Sequence, residues 1–370
     1  MENKERAPID KIKIKFRKGL DNIEDVRQEI STCIICDNTL FLAYDESSAV
    51  EQLVWKDGKY KKHKTFELDD FFDLPDGKEG EMDIEGLAWE EPYLWVTGSM
   101  SLKRNTPDSD DDDESGAAKL AEISLDRNRF TLGKIPCRFN KQKGIWTPVN
   151  SLKRKDKEEG DPEMKAMMLE GGNDSTVLTE LLSSDPHISR FMDIPCKDNG
   201  FDIEGLAVHD DRIFIGLRGP VLAGWAVIIE FRLHERNGWL HLEGRGEREK
   251  PYNKHFIDMS GMGIREINID DKNGDLYILA GPTMDLDGTI AAWRVNGGLA
   301  DKPNTITKDP QRLFDIVYGS NIEHGKNKAE GMAITEEGNY MIVYDSPTED
   351  RLIKDRGVWA DVYKAVDYVE

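Results

Sequence analysis

Apolar residues along this chain fall in short blocks of five to eight, many of them alternating with polar ones, and polar turns separate the blocks. Tyr93-Leu94-Trp95-Val96-Thr97-Gly98, Arg212-Ile213-Phe214-Ile215-Gly216-Leu217 and Asn339-Tyr340-Met341-Ile342-Val343-Tyr344 are examples. This spacing predicts strands, and the links between them carry hairpin residues: Asp37-Asn38, Asp210-Asp211, Asn273-Gly274 and Glu337-Gly338. One stretch, Asp174 to Phe191, has helical spacing instead. Val177, Leu178, Leu181 and Leu182 share a face there, with Asp174 or Ser175 as N-cap. Lys11-Ile12-Lys13-Ile14-Lys15-Phe16 alternates strictly and predicts a strand that closes the fold against the C-terminal unit.

The blocks recur as a unit. Asp83-Ile84-Glu85-Gly86-Leu87-Ala88 reappears as Asp202-Ile203-Glu204-Gly205-Leu206-Ala207, and again as Ala329-Glu330-Gly331-Met332-Ala333. Weaker copies start at Glu29-Ile30-Ser31 and at Gly263-Ile264-Arg265-Glu266. Each copy reads as strand, turn, strand. Ser31 to Glu85 is 54 residues, Glu204 to Glu266 is 62 and Glu266 to Glu330 is 64. Periods of this size with several strands per unit indicate a β-propeller. Glu85 to Glu204 is 119 residues, about two periods, so five blade starts are visible and the arithmetic allows six. The expected architecture is a single all-β propeller over residues 1–370, with six blades, an acidic mobile loop at 105–116 and a charged, helical insertion at 153–192.

Composition narrows the classes. Lys plus Arg is 50 against 72 Asp plus Glu, a formal charge of −22 in 370 residues. That balance disfavours nucleic acid as a partner. No apolar run approaches the ~18 residues of a membrane helix, and the charged N-terminus has no signal-peptide core, so a cytoplasmic protein is expected. The charge is uneven: residues 105–116 contribute −6 and residues 67–85 contribute −8. The four cysteines are read as reduced structural thiols. Cys33 and Cys36 sit three apart in a predicted strand and so face opposite ways.

Longer motifs carry a family resemblance. Lys197-Asp198-Asn199-Gly200-Phe201-Asp202-Ile203-Glu204-Gly205-Leu206-Ala207-Val208 resembles the signature of a bacterial domain-of-unknown-function family of β-propellers. Gly98-Ser99-Met100-Ser101-Leu102-Lys103-Arg104, Leu181–His187 and Leu217–Ala226 match it as well. Met100 stands where that family commonly has a histidine. More distantly, E-G-[LM]-A at a blade start is similar to phytase-like, esterase-like and regucalcin-type propellers, which implies central carboxylates that hold a divalent cation.

A motif at the entrance of every innermost strand is presented to one axis. Glu85, Glu204, Glu330 and Glu266 are therefore the candidate metal ligands, with Asp83 and Asp202, two residues earlier on the same strand face, as supporting groups. Oxygen-only donors suit Ca²⁺ or Mg²⁺ better than zinc. Lys103, Arg104, Arg218 and Arg265 are candidate holders of an anion, or neutralising partners of the acids. Three readings stay open: a ring of structural carboxylates, a metal site, and direct catalysis by one of the acids. They support two functions. One is a divalent-metal-dependent hydrolase of a phosphate or carboxylate ester. The other is a non-catalytic propeller that binds a small anionic molecule or a protein on one face. The P-loop, dinucleotide, nucleophile-elbow and H-E-x-x-H motifs do not occur.

Overall fold

The computed structural model describes residues 5–153, 163–244, 250–284, 286–316, 325–354 and 356–365. They form five four-stranded antiparallel units arranged as a ring. The innermost strands are Ile30–Cys36, Ile84–Glu90, Asp202–His209, Gly263–Ile269 and Lys328–Ile334, and each packs on the next around the axis. Each unit then meanders outward. The first blade continues through Thr39–Tyr44, Ala49–Trp55 and Lys59–Glu67. The fifth runs through Tyr340–Asp345 and Gly357–Tyr363 and takes its outermost strand, Asp10–Lys15, from the N-terminal segment. The alternating lysines and isoleucines of that segment thus close the ring as expected.

Asp10–Lys15 also pairs in parallel with Lys59–Glu67 of the first blade, so the fifth and first blades share one eight-stranded sheet. Glu5–Arg6 adds in parallel to the outer strand of the fourth blade. Thr305–Thr307 does the same for the third.

The blade count differs from six. The 119-residue interval holds the outer strands of the second blade and an insertion, with no further four-stranded sheet among the described residues. Two-stranded ladders, Lys103–Arg104 with Ile123–Ser124 and Ser151–Leu152 with Met164–Lys165, fill part of it. The acidic run ends in a helix, Asp113–Ala121, that Asp112 caps through the Ser115 N–H, so its carboxylates lie at the helix end they stabilise. The second insertion helix is Val177–Leu182, shorter than its spacing suggested. Thr176 caps it in a box with Thr179, in place of Asp174 or Ser175. Leu178 and Leu182, one turn apart, are buried, and Leu181 is exposed. Residues 154–162 of the charged run at 153–163 lie outside the described residues.

Apolar clusters lie between successive blades. Cys33 joins the cluster between the fifth and first blades, and Cys36 the one between the first and second, as opposite strand faces require. All four thiols are free and buried. Gly86, in the second inner strand, shows why the repeat carries glycine. A Cβ there would come within 2.6 Å of the Leu206 Cβ and 3.1 Å of the Leu206 backbone N in the next blade. Glycine lets the inner strands meet.

Candidate functional site at the channel mouth

Strand register decides which side chains reach the axis. Every inner strand has an irregularity at the same place, where one residue is skipped in the pairing with the second strand. The skipped residues are Ser31, Glu85, Glu204, Arg265 and Glu330. Such a bulge re-aims the residue it contains. The fourth blade therefore contributes Arg265 to the ring, and Glu266 falls at the position glycine holds in Gly86, Gly205 and Gly331. Glu266 is not equivalent to the other three glutamates. It accepts a hydrogen bond at 2.6 Å from the Thr32 hydroxyl of the first blade and one at 3.1 Å from the Ile267 N–H. The first and fourth blades are not neighbours, so this bond spans the channel. Burial pushes the Glu266 carboxyl well above the usual range, against hydrogen bonds that lower it.

Two more positions per blade complete the mouth. Two residues before the bulge stand Glu29, Asp83, Asp202, Gly263 and Lys328. Directly after the second strands, or at their ends, stand Asp45, Ser99, Arg218, Gly281 and Asp345. The side toward the third and fourth blades is neutralised. Arg218 Nη1 lies 2.6 Å from Glu204 Oε1 and 3.8 Å from Asp202, and its Nε donates to the Thr283 carbonyl at 3.1 Å. Arg265 Nη1 lies 2.5 Å from Glu330 Oε1 and 3.7 Å from Glu204 Oε2.

The side toward the first and second blades is different. Asp45, Asp83 and Glu85 place one carboxylate oxygen each within 4.8 Å of one another. Buried Asp45 Oδ1 has no hydrogen-bond partner among the described residues. Asp83 is held by Arg129, 3.1 Å away and itself buried, which also bonds Glu81. Burial pushes the Asp45 and Glu85 carboxyls well up: Glu330, Asp83 and Asp345 add to the effect on Asp45, and Asp45, Asp83, Glu204 and Glu330 to that on Glu85. Burial, and then Glu204, likewise raise Asp202 against the pull of Arg218. Glu330 is pushed up to about 7 by burial and Asp345, against the pull of Arg265. Eight carboxylates (Glu29, Asp45, Asp83, Glu85, Asp202, Glu204, Glu330 and Asp345) thus face the guanidinium groups of Arg129, Arg218 and Arg265, with Lys197 opposing the rise at Asp45, and Lys328 and Lys197 opposing the one that burial causes at Asp345.

Of the remaining candidates, Lys103 lies 3.2 Å from Glu46 and 3.6 Å from Glu81, beside the acidic side of the mouth. Arg104 is bound outside it, to Asp198 at 2.8 Å and to the Leu120 carbonyl at 2.5 Å. Sequence reasoning passed over Asp45, Asp345 and Arg129. The signal for the first two was present as a repeated Tyr-Asp, Tyr44-Asp45 and Tyr344-Asp345, at the end of a second strand.

A cavity of about 270 Å³ opens at the opposite end, where the inner strands finish. Ile34, Ala88, Ala207, Asn268 and Ile334 line it, one from each blade. Its inner wall is mostly apolar and its rim carries Asp270, Asp271, Lys272 and Glu336, none of which belongs to the mouth, so the two are separate sites.

Among solved structures the chain is similar to the glutaminyl cyclase of Myxococcus xanthus, at 8% identity and TM-score 0.41 over 97% of each chain. It is also similar to the PQQ-bound aldose sugar dehydrogenase of Streptomyces coelicolor, at 12% identity and TM-score 0.34, over 96% of this chain and 100% of that one. A third is the Cps50 (Swd1) β-propeller domain of Myceliophteria thermophila, at 8% identity and TM-score 0.36, over 96% and 99%. No curated protein matches the sequence. The model of the family described as "Protein of unknown function (DUF3616)" matches residues 29–361, from the first inner strand into Gly357–Tyr363 of the fifth blade and without the N-terminal strand Asp10–Lys15, and the chain belongs to that family.

Proposed function

We propose that the channel mouth binds a hard divalent cation, Ca²⁺ or Mg²⁺, through Asp45, Asp83 and Glu85, and that the site hydrolyses a phosphate or carboxylate ester. The observation that carries this reading is the unpartnered pair of carboxylates. Asp45 and Glu85 converge on Asp83, and no described side chain forms an ion pair or hydrogen bond with either. Oxygen donors alone favour a hard cation. Such a cation would polarise the ester oxygen and make a bound water more acidic.

This chain's own residues supply the rest. Arg129 fixes the Asp83 carboxylate, leaving its other oxygen for the cation. Arg218 commits Nε and Nη1 to Thr283 and Glu204, and its Nη2 has no described partner, so it can hold an anionic oxygen of the ligand. Glu330, with its carboxyl raised to about 7, suits proton transfer near neutral pH.

Calorimetric titration with Ca²⁺ and Mg²⁺, on wild type and Glu85→Gln, tests the cation. Binding that the variant loses is expected, and a silent wild type overturns the reading. Phosphomonoesters, phosphodiesters and carboxylate esters then test turnover. The second reading, a non-catalytic propeller, is favoured by the pairing of Arg218 with Glu204 and of Arg265 with Glu330, which needs no ligand. Cation binding without turnover on any ester would select it.

A further inference from the structure

The face opposite the carboxylates carries two adjoining sockets. The first is the 270 Å³ channel cavity, walled by the ends of all five inner strands. The second, of about 250 Å³, lies beside it where the fifth and first blades join, and is walled by Ile9, Ile12, Trp55, Tyr60 and Val362. Ile35, Thr335 and Glu336 border both, so one ridge separates them. Apolar side chains are left in the open here: Ile9 is 57% exposed and Trp55 38%. Exposed apolar surface that continues into cavities marks an interaction site more often than scattered single residues do.

Charge around the sockets is one-sided. Asp10, Asp37, Asp270, Asp271, Glu336 and Glu337 line the two cavities, and Lys272 is the lone basic residue among their lining. Asp271 lies 3.0 Å from His209, Asp37 accepts from the Trp146 indole N–H at 2.7 Å, and Asp270 and Asp10 accept from the Lys272 and Lys11 backbone N–H groups. Glu336 and Glu337 are exposed. A partner for this surface needs apolar groups for the sockets and positive charge for the belt between and around them.

We propose that this face docks an extended peptide segment of a protein partner in which apolar and basic residues alternate. In an extended chain, residues i and i+2 project on the same side roughly 7 Å apart. Two apolar side chains at that spacing fill two sockets divided by a single ridge, while the basic residues between them project from the other face of the chain and reach the acidic belt by folding their long flexible stems back over its sides. The proposal is independent of the metal reading, which concerns the other end of the channel.

The probe is the capped pentapeptide Lys-Leu-Lys-Leu-Lys, titrated calorimetrically into the full chain at 0.15 M salt. Lys-Ser-Lys-Ser-Lys is the charge-only control and Glu-Leu-Glu-Leu-Glu the apolar-only control. The expected result is that the first peptide binds at least tenfold tighter than either control. Ile9→Lys and the double variant Glu336→Lys/Glu337→Lys, all at exposed positions, should each weaken it at least fivefold with melting temperature unchanged. Equal affinity for the leucine and serine peptides would show general attraction to an acidic protein and overturn the proposal. So would affinity that ignores both variants. A small apolar molecule such as hexanol filling the channel cavity without competing with the peptide would also overturn it.

Discussion

Replacing Asp45 by asparagine reports directly on the charge balance at the mouth. Asp45, Asp83 and Glu85 have oxygens within 4.8 Å of one another. At that distance each pair of full charges repels by about 3 kcal/mol at an effective dielectric of ~20. Asp45 takes part in two such pairs. Partial protonation relieves some of this, because these carboxyls are pushed up, and Arg129 offsets some at Asp83. A net gain of about 1–3 kcal/mol is expected when the Asp45 charge is removed without cation. For a chain of this length that is about 1–4 °C in melting temperature. With cation the sign reverses. Wild type gains about 2.7 kcal/mol at a hundredfold excess over Kd, and Asp45→Asn gains little. The assay is thermal unfolding of both proteins in EDTA, in Ca²⁺ and in Mg²⁺. If Asp45→Asn melts at or below wild type in EDTA, and wild type ignores both cations, the carboxylates are not a strained, cation-seeking set and the reasoning fails.

Other expectations follow from neighbouring contacts. Arg265→Met strips Glu330 of its partner and should cost about 3–5 kcal/mol, with Glu330→Gln on that background recovering part of it, both read from thermal melts. Gly86→Ala should destabilise by about 1–3 kcal/mol, because the added methyl meets the Leu206 backbone and the Thr97 side chain, and urea unfolding measures it. Burial tends to raise the Glu230 carboxyl, but His255, Arg212 and Asn253 hydrogen bonds outweigh it and hold the group well below the usual range. Its contribution is therefore complete above the unfolded value of about 4.3 and is lost as pH falls below it. Glu230→Gln should flatten the acid limb of stability against pH there, as pH-dependent melts will show.

Much of the fold was legible because the repeat is written in residue type. D-I-E-G-L-A marks a strand that must meet its neighbour closely and aim an acid at the axis, so three blades announce themselves. The sixth blade was an artefact of length. An insertion that packs on the blades without forming one adds residues as a blade would, and spacing alone does not distinguish them. Glu266 was misplaced for a related reason. In Ile264-Arg265-Glu266 the eye aligns acid with acid, but pairing with Ala280 and Leu279 aligns Arg265 with Glu85, Glu204 and Glu330. Asp45 was missed because it follows a second strand, and its convergence on Asp83 and Glu85 depends on how two blades are set against each other. Arg129 comes from the insertion, where no periodicity points to it.

The N-terminal strand has a consequence for how the protein is made. Asp10–Lys15 must wait for Gly357–Tyr363, about 350 residues later, and closing a loop of that length costs about 5 kcal/mol in chain entropy. Ring closure therefore belongs at the end of folding, after the middle blades have formed. Because the same strand also pairs with Lys59–Glu67, one event joins the fifth blade to the first. Asp45 belongs to the first of these blades and Glu330 and Asp345 to the fifth. Asp45, Asp83 and Glu85 come from consecutive blades and can converge early, but Glu330 and Asp345 are brought against Asp45 only when the fifth blade joins the first, so a newly made chain completes the mouth last.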